Sequence, residues 1–163
     1  MPTSSWPAPD PQDVASPAAL LRAWDAALTF PPGGAPDTDR LRSLFLPTAS
    51  VASPSAGGGT WLDADGFAGF LVEGLRAAGW DALGFGERNA LVRHDALGRL
   101  HALLTTFTIH LPADADEPAE HGVNLFHLVE RDGRLAIASY AWQDLDGPWD
   151  GASASAAPAE VVS

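Results

Sequence analysis

Residues 85–111 read FGERNALVRHDALGRLHALLTTFTIHL. The stretch predicts two long antiparallel strands joined by a tight turn. Asp95-Ala96-Leu97-Gly98 supplies the expected turn. Asp at its first position and Gly at its fourth suit a type I turn closed by a glycine bulge. In that register Asp95 faces Arg99, Arg93 faces His101, Leu91 faces Leu103, Asn89 faces Thr105 and Glu87 faces Phe107. Side chains alternate across a strand, so these pairs share one face with Phe85 and Ile109. That face mixes large apolar groups with acid, amide, hydroxyl and imidazole groups, as a partly polar cavity requires. The opposite face carries an apolar stripe of Ala90, Val92, Ala102 and Leu104.

Working outward, 163 residues suit one domain with a real core. The chain has 21 acidic residues against 9 basic ones, all Arg, for a net charge of −12. Clustered basic groups for phosphate are lacking, so nucleic acid is not an expected partner. An anionic membrane is not expected for the same reason. No apolar run is long enough to span a bilayer. No basic region followed by an apolar run opens the chain, so no signal peptide is expected and the expected location is cytoplasmic. There is no Cys, which excludes disulfides, thiolate catalysis and Cys-ligated metals.

Residues 1–15 are rich in Pro and small polar groups and are expected to form a flexible arm. Trp6 within it reads as a loose aromatic, with docking on the domain or on a second subunit as the other reading. Ser16-Pro17 looks like an N-cap and first helical position. The helix that follows runs to about Phe30, with Leu20, Leu21, Trp24, Ala27 and Leu28 on one arc and Asp25 at its edge. A short second helix starts at Asp37 or Thr38 and stops before Pro47. Strands are expected over 49–53 and 60–62, around a flexible glycine loop at 54–59. Asp63 or Asp65 caps a third helix with Phe67, Phe70, Leu71, Gly74, Leu75 and Ala78 on one side, ended by Gly79. Beyond the long hairpin come an acidic loop, a strand over 122–130, a turn at Asp132-Gly133 and a last strand over 135–144. Two registers are open there. A two-residue turn puts Phe126 opposite Ser139, and a glycine bulge shifts the pairing by one. Residues 148–163 are expected to be a loose tail, which leaves 16–147 as the single domain. Helices first and long hairpins last make an α+β layout, with helices on one side of a curved antiparallel sheet.

Ordered motifs carry a resemblance. Leu41-x-x-Leu44-Phe45-x-Pro47-x-Ala49-x-Val51, then Phe85-x-Glu87, Gly98 and Thr105-Thr106-Phe107, then Gly122-Val123-Asn124, Leu128, Asp132-Gly133, Ile137 and Trp142-Gln143 follow one another across residues 16–147. In this they resemble the SnoaL-like group of the nuclear-transport-factor-2-like superfamily. The resemblance implies a cone-shaped, cystatin-like architecture, its curved sheet wrapped around a pocket and covered by three helices. It implies a pocket and not a reaction, because this fold hosts isomerases, cyclases, dehydratases and plain binding domains. Two positions depart from the group: His101 stands where a small residue is common, and Phe107 where Tyr is common.

Glu87 is the first candidate for chemistry. A carboxylate on an enclosed, mostly apolar face has its pKa raised and moves protons near neutral pH; alternatively Arg88, Arg93 or a backbone N–H holds it as a structural group. His101 on the same face is a second acid–base candidate, or a hydrogen-bonded core histidine. Asp25, beside Trp24, resembles in position an aromatic–acid pair that some dehydratases of this fold place in the pocket; a helix-edge carboxylate facing solvent is the other reading. Asn124 would orient a carbonyl or hydroxyl group, or tie down a neighbouring strand. Trp24, Phe85, Asn89, Leu103, Thr105, Phe107, Asn124 and Phe126 are the expected ligand-binding set, whereas Trp142 is expected to pack structurally. The histidines lack metal-ligand spacing and no phosphate-binding loop is present, so neither metal nor cofactor is expected. Two functions fit. One is a pocket for a small, largely apolar molecule, with cofactor-free isomerisation, dehydration or ring closure. The other is a non-catalytic binding module or a homodimer formed through the outer sheet face.

Overall fold

A computed structural model of the chain describes residues 6–54, 59–149 and 151. Helix α1 spans Pro17–Leu28; the Ser16 side chain accepts from the Ala19 N–H and Pro17 occupies the first turn. Helix α2 (Thr38–Ser43) is capped by Asp37. Strands β1 (Phe45–Ser53) and β2 (Thr60–Asp63) follow. β1 starts earlier than expected and takes in Pro47, and its register shifts between Phe45 and Ser50 around this residue without an N–H. Asp63 caps α3 (Ala64–Ala77) through the Gly66 N–H at 2.7 Å. A one-turn α4 (Trp80–Leu83), which the sequence reading passed over, starts after Gly79. Strands β3 (Gly86–Leu97), β4 (Leu100–His110), β5 (Glu120–Arg131) and β6 (Arg134–Leu145) complete the chain. The sheet order is β2-β1-β6-β5-β4-β3, antiparallel except where β1 lies parallel to β6. The expected α+β architecture, a curved sheet with helices on its inner side, is the one observed. Among the described residues no helix is long and apolar enough to cross a membrane.

The long hairpin turns at Gly98-Arg99, not at 95–98: Leu97 pairs with Leu100, and Gly98 has φ +61°. A positive φ at the first loop residue suits a two-residue hairpin loop, whose twist matches the strands. That turn displaces the register by three and the extra residue Val92 takes one back, so Asn89 faces Phe107 and Glu87 faces Ile109. This is a shift of two from expectation, so Glu87, Asn89, Thr105, Phe107 and Ile109 still share the inner face. A bulge between Leu91 and Arg93 then breaks the alternation. Towards the tip His94 and Ala96, instead of Arg93, lie on the face of His101 and Leu103.

Both expected registers of the last hairpin occur, in different halves. Asp132 and Gly133 both have positive φ, 54° and 72°, and make a two-residue turn. Leu128 accordingly faces Ile137. An irregularity between His127 and Leu128 adds one residue on β6, and beyond it Phe126 faces Tyr140. The added residue turns Tyr140 inward, where it is buried.

Trp6 is docked, contrary to the loose-aromatic reading. Its indole N–H donates to the Phe45 carbonyl at 3.1 Å, and the Arg42 guanidinium lies 4.8 Å from its ring centre. Arg40 grips Asp13 with two 2.8 Å hydrogen bonds, and fully buried Val14 accepts from the Leu135 N–H. The described part of the arm is thus a strap tied to α2 and to the starts of β1 and β6. These partners are remote in sequence, which is why local composition does not reveal them. The expected tail beyond residue 151, and residues 55–58 of the expected glycine loop, lie outside the described residues.

Gly122 lies directly opposite Phe107. A Cβ there would sit 2.1 Å from the Phe107 ring and 2.6 Å from the Gln143 carbonyl oxygen. Gly122→Ala is therefore expected to destabilise the protein by about 1–3 kcal/mol in urea unfolding, the usual range for overpacking. Phe107→Leu in the same chain should recover part of the loss; full stability in the single variant would show that Phe107 does not rest on Gly122.

Candidate functional site

Trp24 lies on the buried arc of α1 and is fully inaccessible to solvent. Its ring sits 4.7–6.1 Å, centre to centre, from those of Phe45, Phe67, Phe126 and Tyr140. Held in that nest, the indole N–H donates to Glu87 Oε1 at 3.0 Å. Glu87 and Asn89 stand two apart on β3 and so share a face. Asn89 Nδ2 donates to the same Oε1 at 2.9 Å, and Asn124 Nδ2 reaches it from β5 at 3.4 Å. The described hydrogen bonds to this carboxylate all end on Oε1.

A second tier holds these donors. Asn89 Oδ1 accepts from Thr105 Oγ1 at 2.6 Å and from Asn124 Nδ2 at 2.8 Å. Asn124 Oδ1 accepts from the Tyr140 hydroxyl at 2.9 Å. Asp25 takes the Asn89 backbone N–H at 3.0 Å and its Nδ2 at 2.7 Å. Both amides thus have one consistent orientation and full partners. No Arg or His ion-pairs with Glu87 among the described residues. Arg88 bonds the Ala113 and Ala115 carbonyls instead, and Arg93 pairs with Asp95.

Burial dominates the electrostatics. It pushes Glu87 up from 4.5 to about 7; the N–H bonds from Trp24 and Asn89 pull the other way, and the charge of Asp25 adds to the rise. Burial also raises Asp25, against the pull of its Asn89 bonds. Tyr140 is held well above its ordinary value by burial and by the negative charges of Glu87 and Asp144.

Glu87 borders a cavity of about 230 Å³ between the inner sheet face and helices α1, α3 and α4. Its walls include Trp24, Leu28, Phe67, Phe85, Phe107, Ile109, Tyr140 and Trp142. Trp80 lines it from α4, and the exposed Phe70, Glu120 and Asp144 stand at its rim.

The expected residues divide into three groups. Trp24, Phe85, Glu87 and Phe107 line the cavity. Asn89, Thr105, Asn124 and Asp25 stand behind Glu87 as the hydrogen-bond network, so Asp25 does not face solvent in the way a helix-edge carboxylate would. Leu103 and Phe126 are fully buried core residues outside the cavity lining, Phe126 standing edge-on to Trp24. His101 joins neither group. It lies opposite Ala96 near the hairpin tip, stacked on His94 with a 2.9 Å nitrogen contact. The moved turn carries it there, away from Glu87. Sequence reasoning missed Tyr140, Phe67, Trp80, Glu120 and Asp144 as lining residues, and it assigned Trp142 to packing alone. Tyr140 and Trp142 are two apart on one strand, a signal that becomes useful only once the register is known.

No family model matches this sequence, and no curated protein is significantly similar to it in sequence. Solved structures share its fold. A nuclear-transport-factor-2-like protein of unknown function from Silicibacter pomeroyi superposes with a TM-score of 0.58 at 16% identity, over 78% of this chain and 92% of that one. One from Shewanella baltica gives 0.56 at 12% identity, over 80% and 91%. A putative calcium/calmodulin-dependent protein kinase type II association domain from Thiobacillus denitrificans gives 0.62 at 14% identity, over 80% and 95%. The chain has the nuclear-transport-factor-2-like, cystatin-like fold.

Glu87→Gln keeps the shape and an acceptor for the converging N–H groups. Below pH 4.5 the carboxyl is protonated whether the chain is folded or not, so the swap should be nearly neutral. Between pH 4.5 and 7 the unfolded chain ionises first, and native stability falls as pH rises. The displacement from 4.5 to about 7 corresponds to roughly 3 kcal/mol above pH 7. Glu87→Gln should therefore be more stable than wild type by about that amount at pH 8 in denaturant unfolding, and level with it at pH 4.5. A loss of stability at pH 8 would make Glu87 a structural anchor.

Proposed function

We propose that this chain is a SnoaL-like pocket protein that binds a small, largely apolar molecule in the cytoplasm and moves a proton on it with Glu87. The observation that carries the reading is the asymmetry of this carboxylate. One oxygen is fixed by N–H donors from Trp24, Asn89 and Asn124, no cation pairs with it among the described residues, and the side chain borders an apolar cavity. A general base works best with a pKa near the operating pH. Burial of Glu87 moves it there, to about 7. Asp25 and Asn124 act through Asn89 and Glu87 and set the position and charge of the base. Tyr140 supplies the hydroxyl on the cavity wall nearest the network. The reaction class this supports is cofactor-free isomerisation, dehydration or ring closure beside a carbonyl. His101 is left out, because it sits at the hairpin tip.

Proton transfer can be read without knowing the substrate. A panel of small cyclic ketones in D2O should show protein-accelerated exchange of the hydrogen beside the carbonyl, followed by NMR. The rate should rise with pH through an inflection near 7, as Glu87 ionises. Glu87→Gln should lower it about 100-fold or more, within the range for general base catalysis. Exchange that survives Glu87→Gln would remove Glu87 from the reaction.

A second reading, a homodimer that binds without turnover, has its own support. The outer sheet face carries Ala90, Ala102, Leu104 and Leu125, with Leu104 directly opposite Leu125 and Leu125 39% exposed. Val92, expected in that stripe, falls in the bulge and is about half exposed. Light scattering at micromolar concentration should give twice the chain mass, and Leu125→Glu should return the monomer. A wild-type monomer would end this reading.

A further inference from the structure

The cavity has an unusual pairing of wall and charge. Eight aromatic side chains line it, Trp24, Phe67, Trp80, Phe107, Tyr140 and Trp142 among them. Its titratable lining groups, Tyr140 apart, are the carboxyls of Glu87, Glu120 and Asp144, and no Arg or His is among the lining residues. Glu120 and Asp144 are exposed at the rim, whereas the third carboxylate is enclosed. Glu87 is 8% exposed, and the hydrogen bonds described for it leave Oε2 without a donor. Glu87, Ile109 and Glu120 lie directly opposite one another on three adjacent strands, so the two carboxyls share one level of the inner face. Gly122, one level along, pairs with Asp144. The acids thus run from the base of the cavity to its rim.

An anion entering this cavity meets only negative charge. A neutral apolar molecule can be met by Glu87 but makes no use of the carboxylate charge at the rim. A protonated amine satisfies both features: its charge pairs with carboxylate, and its ammonium and adjacent methylenes are attracted to aromatic rings. The net charge of −12 also draws cations towards the mouth. We infer that the ligand of this cavity is a small organic ammonium cation on an apolar body, its ammonium on Glu120 at the rim and its apolar body between the aromatic walls beside Glu87. The inference rests on the reading of the cavity as a ligand pocket and adds the charge class of the ligand.

Three probes of matched shape test it by isothermal titration at pH 8: 2-phenylethylamine, 2-phenylethanol and 3-phenylpropionate. The amine should bind at least about tenfold more tightly than the alcohol, and the carboxylate should not bind. Added salt should weaken the amine and spare the alcohol, because only the charged contact is screened. Glu120→Gln, at the exposed rim, should weaken the amine about threefold or more and leave the alcohol unchanged. Equal binding of amine and alcohol overturns the inference and leaves the pocket reading standing, as does tighter binding of the carboxylate. Failure of all three probes to bind overturns both.

Discussion

Three N–H groups from three different elements end on one oxygen of Glu87, and the arrangement of the inner sheet face follows from bringing them there. Trp24 must come from α1, Asn89 from the same strand as Glu87, and Asn124 from β5. For Trp24 to reach, α1 has to lie with its apolar arc against the inner face. The Asp25–Asn89 bonds hold it at that height. For Asn124 to reach, β5 has to be in register with β4, and Gly122 allows it by leaving room for the Phe107 ring. A buried carboxyl without these donors would cost several kcal/mol. With them it is retained, though still displaced towards the neutral form.

The network is polar at its centre and apolar around it. Asn89, Thr105 and Asn124 have partners for their side-chain groups, and Leu103, Phe126 and Leu128 close over them. A satisfied network of this kind rigidifies a core, because each amide has one orientation that serves all its partners. The cavity lies on the other side of Glu87, so the carboxylate is the boundary between a locked interior and an open space. That position suits a group that must be held still and yet reach a ligand.

Two bulges decide which side chains face inward. The one between Leu91 and Arg93 separates the tip of the long hairpin from its base, and it sends His94 and His101 to a pair of their own. The one at His127/Leu128 rotates the far half of β6 by one residue and brings Tyr140 and Trp142 to the cavity. Without the second, Ser139 would stand where Tyr140 does. The network would lose its terminal hydroxyl and the wall two of its rings.

The sequence by itself determined the order of elements and the helix starts, α4 apart, and the face that carries Glu87, Asn89, Thr105 and Phe107. Those depend on local chemistry: Ser16, Asp37 and Asp63 cap their helices, and the shared face survives because the register at the hairpin base is shifted by an even number, two. The ordered motifs also pointed to the fold that the solved structures share. Tertiary structure alone decided the partners. Glu87 was legible as an inward carboxylate, but not that Trp24 and two amides hold it, because those contacts span 63 and 37 positions to Trp24 and Asn124. His101 kept its expected face and was carried to the tip by the moved turn, whereas Tyr140 was overlooked because of a bulge. A bulge inserts a single residue, leaves no mark in hydrophobic periodicity, and reverses the face of everything beyond it.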